Sequence, residues 1–168
     1  MKALVGLSLA AALLLVPAGA AAARGVTTTY DLVGYEYAFS STVGRFAGRA
    51  SGAGVDVGAW NARVVHDRLG SSPAYVNGGS FRLATHRSGW SIDEISGKFV
   101  EHGGTIRTLD PGRNCSDQRY EVTGRLRDVN GGAGGGDFSA ILTHYRVSLL
   151  GHCVIYKARV AGNLRLSN

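Results

Sequence analysis

The chain has 168 residues, a net charge of +6 at pH 7, and 25 glycines against only 3 prolines. Abundant glycine with scarce proline, among Val, Tyr, Phe and Thr, is typical of short strands joined by tight turns and excludes a disordered chain. The basic residues are spread along the chain without a run or stripe, so the sequence predicts no nucleic-acid binding and only a mild attraction to anionic ligands or surfaces.

Residues 1–23 have the composition of a signal peptide. Lys2 supplies the positive charge, Ala3–Val16 form the apolar region, and the alanines after Gly19 supply the small residues of a cleavage site. The apolar run is shorter than the ~20 residues of a transmembrane helix, so we expect export and no membrane span, with an uncleaved anchor as the alternative. Residues 24–168 then form one secreted domain. Removing Lys2 from the 18 basic residues leaves 17, which against 12 acidic residues give this domain a net charge of +5.

The first strands of this domain are predicted from alternation. Thr27–Val33 is strand-like. Beyond it Tyr35, Tyr37 and Phe39 alternate with other residues, among them Glu36, which is the period of a half-buried strand. We expect most of the aromatic residues of the chain to fill the core.

The segment Val55–Arg68 fits two patterns. A helix would place Trp60, Val64 and Val65 on one stripe at a spacing of three to four residues. A strand would place four alternate residues on one face, namely Trp60, Ala62, Val64 and His66. Because Val55–Gly58 leads into the segment with a period of two, we favour the strand.

Turn signals divide the middle of the chain. Asn77–Gly79 marks a turn or a bulge within a strand region. The glycines of Glu101–Gly104 predict a hairpin that joins Trp90–Val100 to Thr105–Leu109. Gln118–Val129 then alternates cleanly between apolar and polar residues, as a half-buried strand does.

The last two predicted strands, Phe138–Leu150 and Cys153–Leu166, fold back on each other at the loop residues Gly151 and His152. A two-residue loop that begins with glycine suits a type II′ turn, which sets the residues flanking the loop opposite each other. In this register one face is apolar almost throughout, so we predict that it is buried. It comprises Thr143, Tyr145, Val147, Leu149, Val154, Tyr156, Ala158 and Val160.

The opposite face of this predicted hairpin carries positive charge. It places Arg146 opposite Lys157 and His144 opposite Arg159, and like charges across a ladder destabilise it. Pairing the preceding strand with the hairpin brings Glu121 beside Arg146 and supplies a negative charge. One interpretation is a solvent-facing ladder of ion pairs. The other is a lining that grips an anionic ligand, made of Glu121, His144, Arg146, Lys157 and Arg159.

Two cysteines, Cys115 and Cys153, occur in a chain predicted to be exported, where an even count indicates a disulfide. In the predicted register Cys115 lies just past the end of the sheet at which Cys153 leaves the turn. Zinc binding would need more thiol or histidine ligands at short spacing, so we expect no metal site.

The whole pattern predicts an all-β domain of eight to ten strands without a helix. Consecutive antiparallel hairpins in a chain of this size favour a closed, mainly up-and-down barrel, since closure removes exposed sheet edges. A β-sandwich is the alternative. The strand pattern resembles that of small exported ligand-binding barrels of the calycin-like class. Barrels of about eight strands either pack solid or hold one small ligand, and the aromatic residues that we expect to stack on a ligand are Trp60, Trp90, Tyr145 and Tyr156.

The sequence favours binding over catalysis. There is no Gly-x-Ser-x-Gly elbow and no unpaired cysteine to act as a nucleophile. The glycine loop Asn130–Gly136 lacks the Lys-Ser/Thr pair of a phosphate-binding loop. We therefore expect an exported, non-catalytic barrel without a cofactor that binds a small or anionic ligand or another protein. The alternative is a barrel isomerase or cyclase that acts on a small apolar substrate with His144 as its acid and base.

Overall fold

The computed structural model describes residues 27–52, 55–70, 73–86 and 92–167. The predicted signal peptide and Trp90 lie outside these residues. The described chain is all-β apart from a 3-10 turn at Arg113–Cys115, and none of its helices is long and apolar enough to cross a bilayer. Its strands are β1 (Thr27–Phe39), β2 (Val43–Gly52), β3 (Val55–His66), β4 (Ala74–His86), β5 (Ile92–Phe99), β6 (Thr105–Asp110), β7 (Gln118–Val129), β8 (Gly134–Leu149) and β9 (His152–Ser167).

The strands form one closed antiparallel barrel with eight strand positions. Successive positions along the chain are neighbours in the sheet, and β9 pairs with β1 from Thr27↔Ser167 to Tyr35↔Arg159, which closes the barrel. Strands β5 and β6 share one position, because β4 pairs antiparallel with both of them. The predicted small up-and-down barrel is therefore confirmed, and the sandwich alternative is wrong.

The hairpin predicted at Glu101–Gly104 is wrong. The chain leaves the sheet after β5 and returns as β6 in the same direction. Two backbone hydrogen bonds attach the segment between β5 and β6 to Val76 of β4. The Val76 carbonyl accepts from His102 N at 2.8 Å, and the Val76 N–H donates to Gly104 O at 2.9 Å. Glycines suit an interruption of a strand as well as a hairpin turn, and only the pairing of β4 with both pieces distinguishes the two.

Alternate side chains from the strands fill the barrel interior. Among the most deeply buried are Leu32, Val76, Phe81, Leu83 and Leu164. Elsewhere in the interior a cavity of about 10 Å³ remains. It is lined by Phe46, Ala62, Val64, Val122, Phe138, Ala140, Leu142 and Val160. That volume is close to the least that holds one water molecule. Among the described residues the centre of the barrel is packed with side chains, and this cavity is too small for a ligand.

Trp60 is part of this interior. Its segment is strand β3, so the helical alternative is wrong, and the predicted inward face is confirmed for Trp60, Ala62, Val64 and His66. The indole is 2% exposed, and its Nε1 donates to Arg49 O at 3.0 Å and to Val33 O at 3.3 Å. Gly34 and Gly48 make space for it, because a Cβ at either position would lie 2.8 Å from the indole.

The turn of the last hairpin lies one residue earlier than predicted. Leu149 pairs with His152, and the loop residues Leu150 and Gly151 have φ values of 50° and 81°. Positive φ at both loop positions is the mark of a type I′ turn, whose twist matches that of the flanking strands. The predicted type II′ turn is therefore wrong.

This shift, together with a bulge at Tyr156, reverses the predicted faces of β8. Tyr145 pairs with Lys157, and His144 pairs with Ala158 instead of Arg159. The inward residues of β8 are Phe138, Ala140, Leu142 and His144. Of the face predicted to be buried, Ala158 and Val160 of β9 are buried, whereas Val147 and Leu149 of β8 and Val154 and Tyr156 of β9 are exposed. Because side chains alternate with a period of two, a slip of one residue moves a whole set to the other face.

The predicted disulfide between Cys115 and Cys153 is confirmed, with Cα atoms 5.4 Å apart. It ties the last hairpin to the connection between β6 and β7. Arg146 adds two hydrogen bonds to the same connection. Its backbone N–H donates to Asp117 Oδ1 at 3.2 Å, and its Nη1 donates to Gly112 O at 2.8 Å.

Candidate functional site

A groove runs along the outer wall of the barrel, where β1 lies between β9 and β2. Its volume is about 420 Å³, which is within the range of small-molecule sites. Four side chains give it its chemical character, namely Tyr35, Arg49, Lys157 and Arg159. We call it the outer groove; the rest of its lining is Val33, Gly34, Gly48 and Ala158.

Strand pairing explains why these side chains meet. Val33 and Tyr35 are outward residues of β1. Tyr35 pairs directly with Arg159 of β9, and Val33 pairs directly with Arg49 of β2. Directly opposed residues on one face have Cβ atoms about 5 Å apart. The two arginines therefore flank β1 from opposite sides on the same outer surface.

The lining of the outer groove contains three cations and no carboxylate. A second groove of about 560 Å³ shares Tyr35, Gly48 and Arg49 and continues across β3 and β4. At its far end Arg82 lies 3.8 Å from Glu94, so a carboxylate stands beside the guanidinium there. The outer groove therefore differs from the second groove in that its lining holds no carboxylate.

The predicted rung of Glu121, Arg146 and Lys157 is wrong. Glu121 pairs across the sheet with Ile141. Its Oε2 accepts hydrogen bonds from Arg107, at 2.8 Å from Nη2 and 3.0 Å from Nε. Since β8 buries the opposite face from the predicted one, its register with β7 also differs. The five residues predicted to line an anionic site are therefore not assembled in the predicted way.

The predicted cations have separate positions. Arg146 faces the connection between β6 and β7, where Gly112 O accepts its hydrogen bond. Lys157 and Arg159 meet in the outer groove. Their partner there, Arg49, was not singled out from the sequence, because its position depends on the register between β1 and β2. Tyr35 was recognised only as part of an alternating strand.

The aromatic residues predicted to stack on a ligand are not gathered in one place. Trp60 lies inside the barrel. Tyr145 and Tyr156 lie outside it, with ring centres 6.4 Å apart, and Lys157 Nζ lies 5.5 Å from the centre of the Tyr145 ring.

A second polar site is buried at the end of the barrel. His144 Nε2 lies 2.7 Å from Glu36 Oε2, with the two side chains only 6% and 4% exposed. The Phe39 ring stacks on the imidazole at 5.7 Å, and the Tyr120 ring meets it edge-on at 5.4 Å. A bulge at Tyr37 turns Phe39 toward this end of the barrel.

The environment of this pair also acts on Tyr120. Burial raises the pKa of the Tyr120 phenol above its usual value of 10.0; Arg146 opposes the rise and Glu36 adds to it. The phenol is therefore protonated at neutral pH. Gly44 leaves space for the carboxylate, because a Cβ there would lie 2.6 Å from Glu36 Oε1. The sequence does hold a signal for Glu36, because it continues the period-two row of Leu32 and Tyr30, both of which are buried.

Within the described ranges, no group of three or more His, Cys, Asp or Glu side chains is placed to hold a metal ion. The polar features of the described residues are a cation-rich groove on the outer wall and a hydrogen-bonded His–Glu pair at the barrel end. Comparison with protein-family models, with curated proteins and with solved structures finds no match for this chain.

Proposed function

We propose that the chain is an exported binding module whose outer groove binds an anionic ligand through Arg49, Lys157 and Arg159. The observation that carries this proposal is a groove of about 420 Å³ with three cations and no carboxylate in its lining. Arginine pairs well with carboxylate and phosphate groups because its planar fork can donate two parallel hydrogen bonds. Tyr35 adds a ring against which a ligand can stack and a hydroxyl that can donate.

Three further features support this proposal. The packed centre of the barrel directs binding to the wall. The net positive charge attracts anions over distances longer than a contact. The disulfide between Cys115 and Cys153 is typical of proteins in oxidising compartments, which supports export.

Calorimetric titration of the mature chain with tripolyphosphate and with an oligogalacturonate tests the proposal. We expect binding of at least one of these anions that weakens as salt is added. Arg49→Gln and Arg159→Gln should each weaken it about tenfold or more, since a hydrogen bond to a charged group contributes about 1.5–3 kcal/mol. Arg63→Gln is the matched control, because it removes the same charge from the outer face of β3 outside the outer groove.

Two results would contradict the outer-groove proposal. One is anion binding that both groove variants leave unchanged, or that Arg63→Gln weakens equally. The other is equal binding of a neutral malto-oligosaccharide, because the three cations would then have no part in recognition.

A second candidate function rests on the buried pair of Glu36 and His144. A carboxylate bonded to an imidazole fixes its orientation and its tautomer, which is the arrangement of a general acid and base. Phe39 covers the imidazole, and a small apolar substrate that took its place would lie against His144. The activity would be that of an isomerase or cyclase.

Incubation with a panel of small epoxides and conjugated enones, with products identified by mass spectrometry, tests this second candidate. Turnover that is lost in His144→Gln but kept in Arg49→Gln would support it. Turnover that survives His144→Gln in a folded variant would exclude His144 as the acid and base.

A further inference from the structure

The last hairpin extends beyond the barrel. The β1–β9 pairing ends at Tyr35↔Arg159, and the β7–β8 pairing ends at Gln118↔His144. Beyond those pairs, residues 145–157 pair across the sheet with no other part of the chain that the structure describes, only with each other. We call this segment the finger.

The finger is braced on one side. Cys153 is joined to Cys115, and Arg146 bonds to Gly112 O and Asp117. These links fix the inner side of the finger against the connection between β6 and β7. Its outer side and tip are therefore presented in a preorganised form, which lowers the entropic cost of binding.

The outer side and tip of the finger are apolar. Their side chains are 40–93% exposed, and they are Val147, Leu149, Leu150, Val154 and Tyr156. A contiguous apolar patch on a protein surface marks a site for a protein or membrane contact.

Leu150 at the apex is unfavourable for the free protein in two ways. It adopts a left-handed conformation, with φ of 50°, at a turn position that favours asparagine, aspartate or glycine. Its side chain is 93% exposed, so it gains nothing from burial. Asparagine would remove both costs. Strain of this kind at an exposed apolar residue points to a functional contact.

The same end of the barrel exposes other large apolar residues. Phe39, Leu69 and Leu109 lie beside the β1–β2, β3–β4 and β6–β7 connections, which share this end with the finger. At the opposite end only the β7–β8 connection, residues 130–133, is described, and it exposes no large apolar residue.

The positive charge at the base of the finger, and the order of apolar, aromatic and cationic residues along it, match a lipid surface. After Asp137 the sequence has no carboxylate side chain, and Lys157 and Arg159 lie at the base of the finger. From Leu150 to Val147 the apolar tip spans about 10 Å at ~3.4 Å per residue, the depth that interfacial elements reach in a bilayer. Tyrosines and the cation Lys157 form the next layer, as they do at lipid headgroups.

We propose that the finger docks on an anionic lipid bilayer, with its apolar tip among the acyl chains and Lys157 and Arg159 among the headgroups. This surface shares Lys157 and Arg159 with the outer groove, but the residues that penetrate the lipid do not line that groove. A convex tip followed by a tyrosine and cation layer fits a bilayer better than it fits the pocket of a protein partner.

Cosedimentation of the mature chain with vesicles tests the proposal. We expect binding to vesicles of phosphatidylcholine mixed with phosphatidylglycerol, and weaker binding to phosphatidylcholine alone. Leu150→Asn should lower the partition about tenfold or more, since it removes a large apolar side chain from the lipid phase. Leu150→Met should keep the binding. Ala133→Asn, in an exposed turn at the opposite end, is the control and should bind as the unmodified protein does.

Thermal unfolding establishes that each variant is folded. Absence of the protein from the pelleted phosphatidylglycerol vesicles would overturn the proposal, as would equal binding by folded Leu150→Asn. A dimer in sedimentation velocity that Leu150→Asn abolishes, without any lipid binding, would also overturn it and would make the finger a contact between two copies of the chain.

Discussion

The contact between Glu36 and His144 places two polar side chains where water does not reach. Each satisfies the other at 2.7 Å, so neither bears the full cost of desolvation. Removal of one partner leaves the other buried and without its bond, which costs more than the bond itself contributed.

Glu36→Leu should therefore lower the free energy of unfolding by about 2–3 kcal/mol. The double variant Glu36→Leu/His144→Leu should lose less than the sum of the two single variants, because no orphaned polar group remains. Urea unfolding of the three variants and the unmodified protein measures the difference. Strictly additive losses would show that the two side chains do not depend on each other.

Tyr120 gives a prediction for alkaline pH. Burial raises the pKa of its phenol above 10.0 in the folded protein. Above pH 10 the unfolded chain releases this proton more readily than the folded chain, so the unfolded state binds fewer protons and stability falls as pH rises. Below pH 10 the folded and unfolded states both keep the proton, so the phenol does not make the free energy of unfolding depend on pH.

Tyr120→Phe should consequently make the free energy of unfolding fall less steeply as pH rises above 10. Urea unfolding at pH values on both sides of 10 measures this slope. Tyr75→Phe is the control, since Tyr75 is an exposed tyrosine. An unchanged slope in Tyr120→Phe would mean that the folded and unfolded phenols release the proton equally.

At the scale of single residues the sequence predicted less of the site than of the fold. Alternation identifies the row that contains Glu36, but nothing local pairs it with a residue 108 positions away. The same holds for Arg49 and Arg159, which come near each other only because β1 pairs with both of their strands. These contacts depend on strand registers, which are set by the whole barrel.

At the scale of elements, the sequence predicted where the strands lie and which face of β3 is buried, but not which face of β8 is buried. The turn at Leu150 moves the partner of each β8 residue by two positions from the predicted one, and the bulge at Tyr156 moves it back by one, so the net shift beyond the bulge is one residue. Such shifts leave the strand pattern unchanged while they exchange the buried and exposed sets. The prediction of Cys115 with Cys153 was drawn from the wrong register, but it was correct because both residues lie near one end of the sheet in either register.

The disulfide also gives a prediction for the finger. It closes a separation of 38 residues, for which the chain-entropy model gives about 4 kcal/mol. The double variant Cys115→Ser/Cys153→Ser should lose about that much free energy of unfolding. In hydrogen exchange we also expect faster exchange at finger amides, with a smaller change at β3. Equal acceleration in both places would show that the bond stabilises the barrel as a whole and not the finger in particular.

At the scale of the whole molecule, the barrel was predictable because alternation, glycine-rich turns and the need to remove sheet edges all agree. The shared position of β5 and β6 could not be predicted, since the glycines of Glu101–Gly104 also suit a hairpin. Leucines of this barrel occur in two environments, the packed interior and the exposed finger. Leu164 is fully buried inside, whereas Leu149 stands on the finger with most of its side chain in water.

Leu164→Ala should lower the free energy of unfolding by about 3 kcal/mol, because it creates a cavity in a packed interior. Leu149→Ala should change it by about 0.5 kcal/mol or less. Denaturant unfolding of the two variants gives this comparison. A large loss in Leu149→Ala would mean that the finger packs on the barrel in solution.

Thr27 pairs with Ser167, so the first and last described residues lie side by side in the sheet. Both ends of the described chain leave the barrel at the end opposite the finger, up to about 50 Å away along β9 at ~3.4 Å per residue. A fluorescent protein or an affinity tag joined directly at Thr27 or Ser167 would therefore point away from whatever the finger touches. The barrel can serve as a spacer that holds a fused cargo at a fixed height above a surface, and the fluorescence of such a fusion would report attachment without obstructing it.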